Sequence, residues 1–218
     1  MNIETFRLGP FDTNSYLLTD DKSECCAVVD APPGAWETIA PQIRARKLKV
    51  ESLLLTHGHW DHIADADFFA NAGATLYAHR ADIDCFEKPD LFAPWYRASL
   101  PWLTAEDFRK VVISRWIKAG DSLTVLGRTF AVRHVPGHCP GNVLFYQPEA
   151  GVAFPGDAIF AGSVGRSDLP GGSWAELLTS IRESIYTLPD ATVLLPGHGE
   201  ATTVGIEKAS NPYARPLL

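Results

Sequence analysis

The sequence predicts an α/β protein built around a sizeable core. Three observations carry that reading. Short runs rich in β-branched and apolar residues recur through both halves of the chain, helical stretches fall between them, and no low-complexity linker separates the halves. At 218 residues with 46% hydrophobic side chains, the chain can bury enough apolar surface to fold without disulfides. It is expected to form one domain over residues 1–218.

Taken in order, the first half offers strands at Ile3 to Leu8, Ser15 to Leu18, Cys25 to Val29, Ser52 to Leu55 and Thr75 to Ala78. Cys25 to Val29 is apolar throughout, as a strand buried on both faces would be. Ala35 to Arg46 and Ile63 to Asn71 carry apolar residues at helical spacing. The pattern breaks between about Glu87 and Lys110, where Phe92, Pro94, Trp95, Tyr96, Pro101 and Trp102 make an aromatic, proline-rich insertion. Such a segment lies over a surface, either packed onto the domain or lining a substrate pocket as a lid. The second half repeats the theme with strands at Ser122 to Val125, Thr129 to Val135, Val143 to Tyr146, Gly151 to Phe154 and Thr192 to Leu195. Helices are expected at Trp174 to Tyr186 and Thr203 to Ala209, the latter a short closing helix.

The charge balance excludes some partners. A net charge of −7, with no local Lys/Arg run, argues against nucleic acid. No stretch of about eighteen continuous apolar residues is present, and the start lacks a basic segment followed by an apolar one, so a soluble, cytoplasmic protein with no membrane partner is expected. Cys25, Cys26, Cys85 and Cys139 form no CxxC pattern and read as reduced thiols, with Cys139 a small packed residue beside His138.

The chemistry is concentrated in Thr56-His57-Gly58-His59-Trp60-Asp61-His62. Four metal-competent side chains in six residues are hard to explain by packing, because a cluster of imidazoles and carboxylate that dense needs a cation to organise it. One local syntax then occurs four times, an aliphatic run followed by a Gly or Pro turn that holds a His or Asp. Leu53-Leu54-Leu55 leads to His57 and His59, Phe130 to Val135 leads to Pro136-Gly137-His138, Val152-Ala153-Phe154 leads to Pro155-Gly156-Asp157, and Val193-Leu194-Leu195 leads to Pro196-Gly197-His198. Turns of this kind let groups distant in sequence converge at one edge of a rigid scaffold.

Five histidines and two aspartates exceed the four ligands of a single tetrahedral zinc, so two metals are the economical reading. His57, His59 and His138 would hold one ion, Asp61, His62 and His198 the other, and Asp157 would bridge them. The N/O donor set suits zinc, iron or manganese. A pair of cations acidifies a bound water and stabilises an oxyanion, so the chemistry implied is hydrolysis. His79 and His134 are expected to cap turns or to support the ligands rather than to join them.

These residues resemble the metallo-β-lactamase superfamily, whose HxHxDH signature stands here as His57 to His62, with the later ligands as His138, Asp157 and His198. The resemblance spans nearly the whole chain and implies an αβ/βα four-layer sandwich with a dinuclear site at one edge of two facing sheets. Within the superfamily the chain looks like a short, single-domain hydrolase of the glyoxalase II type. That narrower likeness rests on Phe160-Ala161-Gly162-Ser163-Val164-Gly165-Arg166-Ser167-Asp168-Leu169-Pro170-Gly171-Gly172, on Pro196-Gly197-His198-Gly199 with Thr202-Thr203-Val204-Gly205, and on Asn211-Pro212.

The resemblance implies hydrolysis of a small-molecule thioester, S-2-hydroxyacylglutathione, using two divalent ions, zinc above iron or manganese. Asp61 and Asp157 would be the catalytic carboxylates, Asp61 also orienting the attacking hydroxide. Trp60, Phe160 and Arg166 would line the substrate, with Arg166 either meeting a substrate carboxylate or pairing locally with Asp168. Full-length glyoxalase II carries a helical C-terminal domain that helps to hold glutathione, and here only a short helix stands in its place. Two other readings belong to the same scaffold: a persulfide dioxygenase with a single iron, and a hydrolase of another small ester or thioester. Flavodiiron proteins carry a glutamate where His59 stands, and β-lactamases lack the bridging aspartate present as Asp157.

Overall fold

The computed structural model describes residues 1–215. Two compact units divide the chain, Met1–Trp116 and Ile117–Leu218.

In the first unit, β1 (Asn2–Leu8) and β2 (Thr13–Thr19) form an antiparallel hairpin, and β3 (Cys25–Val29) pairs antiparallel with β2. The chain then crosses through α1 (Ala35–Ala45) to β4 (Lys49–Leu54), and through α2 (Trp60–Ile63) and α3 (Ala66–Asn71) to β5 (Thr75–His79). Strands β3, β4 and β5 are mutually parallel. Two short helices, α4 (Ile83–Glu87) and α5 (Ala93–Ser99), precede β6 (Arg115–Ile117), and the sheet order is β1-β2-β3-β4-β5-β6. Helix α1 buries Ala35, Ile39, Ala40 and Ile43, a stripe at helical spacing, in a core with Leu17, Val28, Leu53, Phe69 and Leu76. Each fully buried aliphatic or aromatic side chain there contributes roughly 1.5–3 kcal/mol.

In the second unit, β7 (Ser122–Val125), β8 (Arg128–His134), β9 (Val143–Gln147) and β10 (Val152–Phe154) form an antiparallel run. After the small hairpin β11 (Ile159–Phe160) and β12 (Ser163–Val164), α6 (Trp174–Ser180) continues as a π-helical turn over Ile181–Ile185. Strand β13 (Val193–Leu194) pairs parallel with β10, and β14 (Thr202–Thr203) pairs antiparallel with β13 before α7 (Val204–Ser210). Leu177, Ile181, Ile185, Leu194 and Val204 pack into the core of this unit. No helix among the described residues is long and apolar enough to cross a membrane.

The long strands and helices fall where periodicity places them. Three differences have local causes. The helix expected over Ile63 to Asn71 is broken into α2 and α3, because the Asp65 amide donates to Ala31 O and its carboxylate turns to accept from Trp36 N at the start of α1. The proline-rich insertion is helical in places: Pro89 and Pro94 stand in the first turns of a 3-10 turn and of α5, where the absent amide proton is no loss. Strands β6, β11, β12 and β14 are two or three residues long, too short to show a period.

Candidate metal centre

In each unit, strand direction brings the donors to one sheet edge. In the first unit, β3, β4 and β5 are parallel, so the residues that follow them leave at the same end: Asp30 after β3, Thr56 and His57 after β4, Asp82 after β5. In the second, β8 and β10 both run antiparallel to β9, and β10 is parallel to β13, so the turns to His138, Asp157 and His198 leave together. Two of those turns are bonded to each other, Gly197 N donating to Gly156 O at 3.0 Å.

Within the first unit the signature residues form one cluster. His57, Asp61 and His62 are buried, and the His57 ring lies 4.7 Å from the His59 ring and 4.1 Å from the His62 ring, centre to centre. Ligand atoms of Asp61 and His62 approach within 4.8 Å. Asp30, which sequence reasoning passed over, organises this cluster. Its carboxylate accepts from Thr56 N at 2.8 Å, Thr56 Oγ1 at 2.7 Å and His62 Nδ1 at 2.8 Å. A carboxylate only accepts, so the His62 proton sits on Nδ1 and the Nε2 lone pair faces Asp61 Oδ2 at 3.5 Å. The Thr56 hydroxyl gives its own proton to Asp30 and therefore accepts from His57 Nδ1, 3.0 Å away, which again leaves Nε2 as the ligand atom. One buried acid thus fixes the tautomers of two histidines.

Other groups hold the same loop. Thr13 Oγ1 donates to Asp61 Oδ2 at 3.1 Å, and Gly58 N donates to the buried Asp82 Oδ2 at 2.9 Å. A Cβ at Gly58 would lie 2.7 Å from Cys85 Cβ, so the HxH turn admits only glycine. Burial, followed by Asp82 and Asp84, pushes the Cys85 thiol well up, which keeps it a neutral thiol beside the turn. Trp60 N donates to Tyr96 Oη at 3.0 Å and the Trp60 indole donates to Asp107 O at 2.7 Å. Tyr96, Leu103 and Phe108 of the insertion therefore pack on the metal-loop tryptophan, while Leu91, Trp95 and Trp102 face solvent. The cleft they leave beside His59 encloses about 10 Å³, roughly the room for one water.

Within the second unit, Asp157 Oδ2 lies 3.6 Å from His138 Nε2 and 3.3 Å from His198 Nε2. His138 Nδ1 donates to Arg166 O at 2.7 Å, so its Nε2 also presents a lone pair to a carboxylate. Asn142 is fully buried and joins two of the turns, donating to Pro155 O at 3.0 Å and accepting from Asp157 N at 3.2 Å. His134 bonds Pro140 O at 2.7 Å and supports the His138 turn, and His79 accepts from Ala81 N as a helix cap, the supporting roles the sequence suggested. The Phe160 ring meets His198 edge-on at 5.9 Å. Arg166 is exposed and pairs with Asp168 through two bonds of 2.7 and 2.8 Å, so the local pair is the one formed and it is the Arg166 carbonyl that touches His138. All four cysteines are free thiols and Cys139 is buried.

Lone pairs of imidazole aimed at carboxylate oxygens, beyond good hydrogen-bond distance, are mutually repulsive without a cation. With the opposite ring nitrogens fixed by carboxylate, hydroxyl or carbonyl acceptors, the donors fit divalent metal. The signals for Asp30, Asn142 and Asp82 were weak. Asp30 does follow an aliphatic strand and precede Pro32-Pro33-Gly34, a fifth case of the repeated syntax.

Comparison with known proteins agrees. The sequence model of the Metallo-beta-lactamase superfamily matches residues 8–198. Hydroxyacylglutathione hydrolase GloC of Haemophilus influenzae is 36% identical over 215 residues, which is 98% of both chains. A crystal structure of the B3 metallo-beta-lactamase BLEG-1 superposes with a TM-score of 0.85 at 33% identity, covering 98% of this chain and 99% of that one. TTHA1623, crystallised in a di-iron-bound form, gives a TM-score of 0.81 at 32% identity over 96% of this chain and 99% of its own. These neighbours share the α/β fold expected from the sequence.

Proposed function

Because the chain belongs to the metallo-β-lactamase superfamily and is a metallo-hydrolase of that family, we propose that it hydrolyses a small-molecule thioester, S-2-hydroxyacylglutathione, to glutathione and a hydroxy acid. The observation that carries this substrate is the similarity to hydroxyacylglutathione hydrolase GloC along the full length of both chains. His57, His59 and His138 would hold one zinc ion, Asp61, His62 and His198 a second, with Asp157 shared. When bound, the ions supply Lewis acidity that activates water at neutral pH and stabilises a developing oxyanion.

The chain's own residues do the rest. Asp61, held by the Thr13 hydroxyl, orients the attacking water through its carboxylate. Asp30 keeps the protons of His57 and His62 on Nδ1, on the far side of each ring. Phe160, edge-on to His198, and Trp60, packed against Tyr96 and Phe108, would give the substrate apolar walls. Arg166 is engaged by Asp168, so recognition of a glutathione carboxylate would require that pair to open.

The test is elemental analysis of protein purified without added metal, joined to an assay on S-lactoylglutathione. About two ions per chain with thioester turnover is the expected result, and Asp157→Ala should abolish turnover; an Asp157→Ala variant as active as wild type would refute the dinuclear site. The strong structural likeness to a B3 metallo-beta-lactamase makes a β-lactam the second substrate to assay on the same preparation. Metal with β-lactam but no thioester hydrolysis would move the substrate assignment, and a single iron with oxygen uptake on glutathione persulfide would replace hydrolysis altogether.

A further inference from the structure

Glu207 is fully buried on α7, far in sequence from the HxHxDH motif, and its carboxylate gathers donors from three segments. Thr202 Oγ1 donates to Oε1 at 2.6 Å, Gly162 N to Oε2 at 3.1 Å and Asn211 Nδ2 to Oε2 at 2.7 Å. Asn211 Nδ2 also reaches Ser163 O at 2.9 Å. Burying a carboxylate is costly, and an apolar side chain would fill the same space without that cost, so the bonds must supply something that packing does not.

What they supply is spacing. Gly162, at φ +67°, is the tight turn between β11 and β12, two residues after Phe160. Thr202 opens β14, whose pairing with Leu194 in β13 fixes both ends of the loop carrying His198. Phe160 and His198 meet edge-on at 5.9 Å. One carboxylate therefore ties down the backbone on both sides of that contact, and Thr202 and Asn211, from the two C-terminal motifs, acquire a common purpose as its donors. Gly205 N closes the helix start onto Asp190 O at 2.9 Å.

We propose that Glu207 is a positioning residue that holds the Phe160 turn and the His198 loop at a fixed separation, and so sets both the zinc affinity of His198 and the substrate wall formed by Phe160. The zinc and substrate roles rest on the function proposed above.

The full-length protein should be compared with Thr202→Val, which removes one bond at constant shape, Glu207→Leu, which removes them all, and Val204→Ala, which opens a cavity on the same helix and leaves the bonds intact. The first readout is zinc retention against a graded chelator, and the second is the KM for S-lactoylglutathione beside kcat. In Thr202→Val, and more strongly in Glu207→Leu, one of the two zinc ions should be lost at a chelator concentration about tenfold lower than in wild type, with KM rising more than kcat falls. Val204→Ala should keep wild-type zinc retention even with an equal or larger fall in melting temperature. Wild-type zinc retention in Thr202→Val, or equal zinc loss in Val204→Ala, would overturn the proposal, and Thr202→Val decides alone if Glu207→Leu does not fold. Zinc retention needs no substrate, so absence of thioester turnover in every protein would count against the proposed function and leave this test standing.

Discussion

Single side chains here act mainly by deciding where protons sit. Asp30 accepts three hydrogen bonds and thereby gives His57 and His62 the same tautomer, which a motif reading of HxHxDH does not reveal because the acid lies 27 residues before His57 in the sequence. Asp30→Asn puts an amide N–H where a carboxylate oxygen accepted from Thr56 or His62. The expected outcome is a 10–100-fold loss of zinc affinity, read by chelator competition, with the fold retained in circular dichroism. Unchanged affinity would mean that the histidines are oriented by the metal alone. Arg166 illustrates the opposite case: of the two roles the sequence offered, a substrate contact and a local pair with Asp168, the pair is the one formed, and the backbone carbonyl of Arg166 meets His138. Sequence names a side chain, and cannot say that the carbonyl is the working part.

At the scale of elements, the turns and helix ends carry the constraint. Helix α1 starts at Gly34 with no side-chain cap of its own, and Asp65 supplies one from the next crossover by accepting from Trp36 N at 3.0 Å. Asp65→Ala should cost about 1 kcal/mol, measured as a shift in the urea midpoint. Burial is the largest influence on the Asp65 carboxyl and raises its pKa above the ordinary aspartate value of 3.8. A raised folded value means that the acid stabilises most below about pH 3.8 and loses part of that contribution as pH rises through the folded value, so the penalty of Asp65→Ala should be larger at pH 3.5 than at pH 7. An opposite trend would show that the ion pair with Arg109, whose guanidinium lies 3.7 Å from Asp65 Oδ1, outweighs burial. Gly165 is a sharper constraint, since a Cβ there would fall 1.8 Å from Asp157 O. Gly165→Ala should destabilise by about 1–3 kcal/mol or more and displace Asp157, so metal content should fall together with the melting temperature. Of the elements, the strands and helices of ordinary length were legible from periodicity. The break at Asp65 was not, because the capping partner lies on α1.

For the whole chain, four of the seven proposed ligands come from residues before 117 and three from residues after it, so metal binding should report on the native state of both halves. Adding zinc at 100 times its dissociation constant should stabilise the native state by about 2.7 kcal/mol, seen as a rise in melting temperature that a chelator reverses. No shift on adding zinc, iron or manganese would contradict the metal-binding reading. The sequence by itself determined the α/β class, the superfamily and the candidate ligands, because period, turn chemistry and ligand type are local properties that a short window of residues expresses. Only the tertiary structure decided which polar side chains support those candidates: Asp30, Asp82, Asn142 and Glu207 each bond a segment well removed in sequence, His62, Gly58, Asp157 and Gly162 respectively, and a short window of residues does not express such a pairing. It also decided that part of the aromatic insertion folds down on Trp60 while the rest faces solvent, since hydrophobic burial is non-directional and composition cannot say which rings pack inward.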